Sequence, residues 1–404
     1  MGRPVTRRPL ILNRQLLDMK QSLLWTAVVV TSVYMLSVFT NHDYLWSGIR
    51  ETWLRGWENA QIDDLPFRDH LRTIPASSNP QPWPEGPRWG QSELSSEDQA
   101  WLDESQTASL LVIQHDSLVF ETYLRGHDAT TLTNSFSMAK SITAMAVGLA
   151  VGDGKVDEQA KVSTYLSRIA DGDGAGLTVQ ELLQMRSNIP FGEDYKDPFG
   201  FQAKAYYRDD NRSLLEPYRV EGDPGTVFMY QGGNTMLLSE MLDAVRDGSV
   251  GEDVSTRLWE QMGAEHDAFW GLDGAEEEGG VERSFAQYYA TTRDYARFGQ
   301  LLLDSGAWKG IQLLPKDYVT RMITPVAKLT DEVSTTYYGY QIWLGQTDDN
   351  LLFSCMEGLR GQFVITVPAL DLVVVRTGYA KSNGKKRFLP EDIYTVIDIA
   401  RRLL

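Results

Sequence analysis

From Gln21 to His42 no residue carries a formal charge. Within that run Leu23-Leu24-Trp25, Ala27 through Val30, Val33 through Leu36 and Val38-Phe39 are almost all apolar. A run of this kind restricts the chain more than any other feature. In lipid its backbone polar groups must be satisfied internally, which a helix does, and the alternative is a helix buried in a core. As a helix its twenty-two residues extend about 33 Å, close to the thickness of a bilayer's hydrocarbon layer. Arg3, Arg7, Arg8, Arg14 and Lys20 precede it against a single Asp18, so the first twenty residues carry +4. Trp25 and Trp46 lie near its two ends, as interfacial anchors do. The expectation is a lipid bilayer anchor over residues 21–42, a cytoplasmic basic tail over 1–20, and an exported remainder, periplasmic or extracellular. The rival is a cleaved signal peptide. It would have a shorter apolar region and small residues at its end, whereas Thr40-Asn41-His42-Asp43-Tyr44 follows here.

Charge narrows the partners. The whole chain carries −17 from 38 Lys and Arg against 55 Asp and Glu, which leaves −21 beyond residue 20. Such a surface opposes a phosphate backbone, so nucleic acid is not expected as a partner. The single Cys355 excludes an internal disulfide and a cysteine zinc cluster, and no His-Glu-x-x-His occurs among the five histidines. Asp171-Gly172-Asp173-Gly174 resembles a calcium loop but places Leu182 where the closing glutamate belongs. No metal or other cofactor is expected.

Beyond the anchor, residues 43–75 read as a juxtamembrane stretch. Pro75, Pro80, Pro82, Pro84 and Pro87 read as an extended spacer, so 43–91 is expected to be a linker. The folded domain is expected over 92–404. Ser109–Gln114 and Leu118–Leu124 flank His115-Asp116-Ser117 as a β-hairpin. Ser137–Val151 has the spacing of a helix. Residues 155–335 read as mostly helical, with loops at 171–176 and 273–280 and one clear helix over 294–303. Four β-like runs follow at 338–344, 351–356, 362–367 and 372–376. Pro390 then opens a last helix with acids in its first turn and Arg401-Arg402 near its end. Strands near both ends with helices between them predict an α/β (α+β) fold, an antiparallel sheet flanked by helices with an inserted, mainly helical region.

The chemistry centres on Ser137-Met138-Ala139-Lys140. Residues i and i+3 share a helix face, so the lysine amine can reach the serine hydroxyl. Serine is a poor nucleophile until a base takes its proton. Lys140 is the only charged residue between Ser137 and Val151. Burial among apolar neighbours would lower its pKa and make it such a base. A second Ser-x-x-Lys, Ser382 to Lys385, lies in a polar turn beside Lys381 and Lys386 and reads as a chance match. No Gly-x-Ser-x-Gly surrounds Ser137, so an α/β-hydrolase elbow is not indicated. Tyr230, in Pro224-Gly225-Thr226-Val227-Phe228-Met229-Tyr230, could carry a proton to a leaving group if it lay beside that lysine.

Ser137-Met138-Ala139-Lys140-Ser141 opening an apolar helix, with Pro-Gly-Thr-x-Phe-x-Tyr ending 93 residues after the serine, resembles the serine β-lactamase-related family. That family includes class C β-lactamases, DD-peptidases, related esterases and 6-aminohexanoate-dimer hydrolases. The resemblance covers about residues 92–404. It implies a β-lactamase/DD-peptidase-like fold, with Ser137 as the acyl-forming nucleophile, Lys140 as its activating partner and Tyr230 as proton relay. It also implies an oxyanion hole from the backbone N–H of Ser137 and of a strand residue near Leu359, and Gly361 and Gln362 at the substrate site. The stretch Glu193-Asp194-Tyr195-Lys196-Asp197 resembles the 6-aminohexanoate-dimer hydrolase branch, which implies a contact of Tyr195 with the substrate amide. Two departures matter. The family's Tyr-x-Asn is here Tyr230-Gln231-Gly232, and its Lys-Thr-Gly strand position is Met356-Glu357-Gly358. Arg376-Thr377-Gly378 resembles that motif but reads as a strand end. A glutamate in place of the lysine opposes a substrate carboxylate. The expectation is therefore a serine hydrolase of a small-molecule amide or ester, acting through an acyl-enzyme. A β-lactamase or DD-peptidase, or a binding module of the same fold, stands as the alternative. Oligomeric state is left open.

Overall fold

A computed structural model describes residues 8–325 and 337–404 of the chain. Residues 1–7 of the expected basic tail and 326–335 at the end of the expected helical region lie outside the described residues. Six antiparallel strands form the central sheet. Their order across it is Ser117–Tyr123, Thr107–Gln114, Leu372–Gly378, Gln362–Val367, Leu352–Gly358 and Trp343–Gln346.

Alternation along these strands splits the core in two. Leu110, Val112, Phe353, Ile365 and Val374 face the terminal helix Glu391–Leu403, packing on Ile393, Val396, Ile397 and Ala400. Leu111, Ile113, Val364, Val373 and Val375 face the opposite way, toward the helices Met138–Gly152 and Thr292–Leu303. Both faces are thus covered, which is why these strands are apolar nearly throughout rather than alternately polar. Gly299 lets the helix Thr292–Leu303 approach the sheet closely, since a Cβ there would lie 2.6 Å from Val373 and 2.8 Å from Val364.

The expected hairpin and the last three of the four expected β runs are strands, within a residue or two of the expected bounds. The run at 338–344 is corrected: its regular strand starts at Trp343 and ends at Gln346, and Tyr338 makes only an isolated bridge to Trp343. The region 155–325 is also less helical than expected. It holds Ala268–Gly271 and Tyr288–Ala290, which join Leu71–Ile74 and Thr133–Asn134 in a second, four-stranded antiparallel sheet. These two strands are four and three residues long, too short for a period-two pattern to stand out.

The expected linker over 43–91 is the larger correction. Tyr44, Ala60, Ile62, Ile74 and Trp83 are buried, and Leu71–Ile74 is an edge strand of the second sheet. The indole Nε1–H of Trp83 donates to the carbonyl of Arg293 at 2.9 Å. Prolines between 75 and 87 fix an extended path across the domain surface; they do not detach the segment from it. The N-terminal helix runs from Arg8 to Phe39, longer at its start and three residues shorter at its end than the expected span. Its part Met19–Phe39 is long and apolar enough to cross a membrane and is not buried against the rest of the chain.

Candidate active site

Ser137 is the N-cap of the helix Met138–Gly152, yet its hydroxyl caps no backbone N–H. The hydroxyl is left to Lys140, whose Nζ donates to Ser137 Oγ at 2.8 Å and to the carbonyl of Phe285 at 3.1 Å. Lys140 is 1% exposed. Burial is the main cause of a pKa lowered from 10.5 to about 8, opposed by the negative charges of Glu193 and Glu357. At pH 7 roughly a tenth of such an amine is neutral, against under a thousandth for a free lysine. The sequence placed one helical turn between hydroxyl and amine; the fold supplies the dry surroundings.

Tyr230 arrives from far along the chain. Gly225 turns with φ +81, and a Cβ there would lie 2.3 Å from Glu181 Oε1, so only glycine fits the turn. The N–H of Met229 then donates to the carbonyl of Met185 at 2.8 Å, and the helix Gly232–Val245 begins just beyond. The Tyr230 ring centroid lies 5.0 Å from Lys140 Nζ and packs against Trp343 and Tyr338. Burial raises the phenol pKa, Glu193 and Glu357 raise it further, and a hydrogen bond with the Ser137 side chain opposes them. The phenol is therefore neutral at pH 7. The three side chains the sequence singled out converge.

The strand Leu352–Gly358 brings the next element. A Cβ on Gly358 would lie 2.2 Å from the carbonyl oxygen of Ser135, so glycine is what lets the strand end meet the start of the Ser137 helix. Leu359 follows and lines the same cavity as Ser137 and Lys140, with Tyr195, Tyr206 and Phe285. This cavity encloses about 560 Å³, part of it open to solvent. Backbone N–H groups of Ser137 and Leu359 donate to no backbone acceptor among the described residues. Phe136, just before the serine, has φ +44, an uncommon conformation for a bulky residue.

Tyr195 stands half-exposed at the cavity, its hydroxyl donating to Glu193. Gly361 and Gln362, expected to contact substrate, are not among the residues that line this cavity. Gln362 is fully buried. Its amide nitrogen donates to the carbonyls of Leu359 at 2.9 Å and Gly378 at 2.7 Å, and its oxygen accepts from Gly378 N–H at 3.0 Å. Gly361 has φ +83 with Arg376 Nη1 2.1 Å from where a Cβ would be. Both shape the turn that carries Leu359. Glu357, at the position where the family has lysine, is ion-paired with Lys381. The second Ser-x-x-Lys forms no pair of the first kind, since Ser382 Oγ donates to Glu391 at 3.0 Å.

Other residues of the site were given no role by the sequence, although Glu193 lies in the stretch that resembles the 6-aminohexanoate-dimer hydrolase branch. Glu193 accepts from Tyr195 and Gln202, which line the cavity, and from the N–H of Gly232 at 2.9 Å, two residues after Tyr230. Asn59 and Ala60 line the cavity from the segment expected to be a linker. Phe285 contributes a carbonyl, which any residue type carries.

Known proteins share this arrangement's fold. The Beta-lactamase family model matches residues 100–399. A 6-aminohexanoate-dimer hydrolase of Paenarthrobacter ureafaciens is 26% identical over 320 residues, 75% of this chain and 80% of that protein. Among solved structures, a Bacillus anthracis protein provisionally assigned as a 6-aminohexanoate-dimer hydrolase superposes with a TM-score of 0.69. It is 24% identical, over 85% of this chain and 93% of that one. A penicillin-binding protein from Bacillus halodurans superposes with a TM-score of 0.58 at 18% identity, over 76% and 98% of the two chains. At such identities the structural likeness speaks for the fold.

Proposed function

Because this chain belongs to the β-lactamase family and is a serine hydrolase, we propose that it cleaves a linear amide or ester of a small molecule through a covalent acyl-enzyme on Ser137. The observation that carries the reading is the buried Lys140 amine 2.8 Å from Ser137 Oγ. Neutral Lys140 takes the Ser137 proton as Oγ attacks the substrate carbonyl carbon. Charge developing on the carbonyl oxygen is met by the N–H groups of Ser137 and Leu359, close to the positive end of a helix dipole. The proton passes from Lys140 through the Tyr230 hydroxyl to the leaving nitrogen or oxygen as its bond to carbon breaks. Water, deprotonated through the same groups, then releases the acid and frees Ser137. Tyr195 is assigned to the substrate amide.

An amide or ester is preferred over a β-lactam because of Glu357 and of Gln231-Gly232. The first places a carboxylate, with Lys381 engaged on it as an ion pair, where penicillin-recognising relatives carry a lysine, and the second removes a side-chain amide. The relative from Paenarthrobacter ureafaciens, named for 6-aminohexanoate dimer, supports a linear amide. We also propose that Met19–Phe39 anchors the enzyme in a membrane with the catalytic domain on the exported side. A mature N-terminus near residue 42 would reject the anchor.

The test is covalent labelling by a fluorophosphonate. Wild type labels and Ser137→Ala does not; undiminished labelling of the variant refutes the assignment. Turnover of linear amides and short-chain esters, with nitrocefin untouched, is the expected specificity. A stable penicillin adduct at Ser137 would instead favour the penicillin-recognising alternative, and failure on all three classes a binding module.

A further inference from the structure

Residues 60–64 precede the part of the chain matched by the family model, yet they touch both sides of the oxyanion hole. On the serine side, the carbonyl of Ile62 accepts the N–H of Asn134 at 2.7 Å. Asp64, 1% exposed, accepts from Asn134 Nδ2 at 3.0 Å, which fixes the amide so that its Oδ1 accepts the N–H of Phe136 at 2.9 Å. That bond holds the left-handed Phe136 immediately before Ser137. On the strand side, the carbonyl of Ala60 accepts from Arg360 Nε at 2.9 Å, and Arg360 Nη1 donates to the carbonyl of Tyr379 at 2.9 Å. Arg360 directly follows Leu359 and is itself left-handed, with φ +65. Between the two sides, Ala60, Ile62, Ala108 and Phe136 form a small buried cluster against which Leu359 and Tyr379 pack.

One five-residue stretch is thus joined to the residue before one N–H donor and to the residue after the other. We propose that residues 60–64 are the positioning element of the oxyanion hole and set the distance between the N–H groups of Ser137 and Leu359. The inference rests on the acyl-transfer reading above. None of these residues reacts; Asp64, Asn134 and Arg360 act through the two N–H groups they hold in place. Donors placed for a developing oxyanion lose their effect with small displacements, because the bonds they make are short and directional.

The test uses the full-length chain in detergent, with an ester of a short carboxylic acid and the matching thionoester. Sulfur is a poor acceptor, so an intact oxyanion hole favours the ester. Arg360→Met and Asp64→Ala are each expected to lower kcat on the ester by about 10- to 100-fold. KM stays within about twofold, and the ester-to-thionoester rate ratio falls by at least about tenfold. Asp64→Asn keeps an acceptor for Asn134 Nδ2 while losing the charge that pairs with buried Arg68; it lowers stability, but its ester-to-thionoester ratio is expected to stay within about threefold of wild type. A loss that is equal on the two substrates, or no loss, overturns the inference. If Asp64→Ala does not fold, Arg360→Met decides alone, since Arg360 is not fully buried. Ester turnover that survives Ser137→Ala would instead sink the parent reading, and this inference with it.

Discussion

Replacing Lys140 by methionine removes a buried amine while keeping an unbranched side chain of similar reach. The folded pKa of Lys140 is about 8 and its ordinary value 10.5. The unfolded chain therefore binds more protons than the folded one between these pH values, and the contribution of Lys140 to stability rises with pH across that window. Below pH 8 the folded protein carries the full penalty of a buried ammonium. The difference of about 2.5 pH units between 10.5 and 8 corresponds to about 3 kcal/mol at roughly 1.36 kcal/mol per unit. Above about pH 10.5 the penalty is gone and only the bonds to Ser137 and to the Phe285 carbonyl remain, worth about 1 kcal/mol each. The methionine variant should therefore be more stable than wild type at pH 7 and less stable at pH 10.5. At roughly 2.1 cal/mol/K per residue the unfolding entropy of a chain this long is about 0.8 kcal/mol/K, so the swing in the difference of Tm is about 4 °C. Thermal scans of both proteins in the same detergent at pH 7, 9 and 10.5 measure it. A difference that stays flat within about 1 °C would mean the amine is solvated, and the account of Lys140 as a base would fail.

Activity should follow the same group in the same direction. Only neutral Lys140 accepts the serine proton, so kcat/KM on an ester is expected to climb with pH through about 8 and level above it. A limb near 10.5 would contradict the burial argument. Tyr230→Phe is expected to lower kcat by about 10²- to 10⁴-fold, with amides hit harder than activated esters because an amine must be protonated to leave; equal losses on a matched amide and ester pair would remove Tyr230 from that step. Gly148→Ala places a Cβ 2.6 Å from the buried Tyr318 ring. It should cost about 1–3 kcal/mol and lower Tm by a few degrees, measured by the same scans; an unchanged Tm would mean that the helix and Tyr318 are not packed in this way.

Much of the site is legible in the amino-acid order because its signals are local. One helical turn separates Ser137 from Lys140, and the apolar run around them announces burial without any knowledge of what does the burying. Pro224-Gly225 announces a turn, and the turn delivers Tyr230. The order of motifs also points to Gly361 and Gln362 as substrate contacts. Their atoms are instead spent on the backbone of the Leu359 turn, and nothing in residue order distinguishes a group that faces a cavity from one that faces a strand.

The order of residues is enough for the apolar N-terminal helix, the central strands, the pairing of Ser137 with Lys140 and the family. Each rests on periodicity or spacing within a few residues, or on motifs kept in order. Three-dimensional packing was needed to show that residues 43–91 pack against the domain and that Glu193 joins Tyr195, Gln202 and Gly232. It also brings Asp64 to a residue 70 positions away and Ala60 to one 300 positions away. Such contacts arise when distant segments minimise their exposed apolar surface together, and that shared minimum leaves no periodic trace in any one of them.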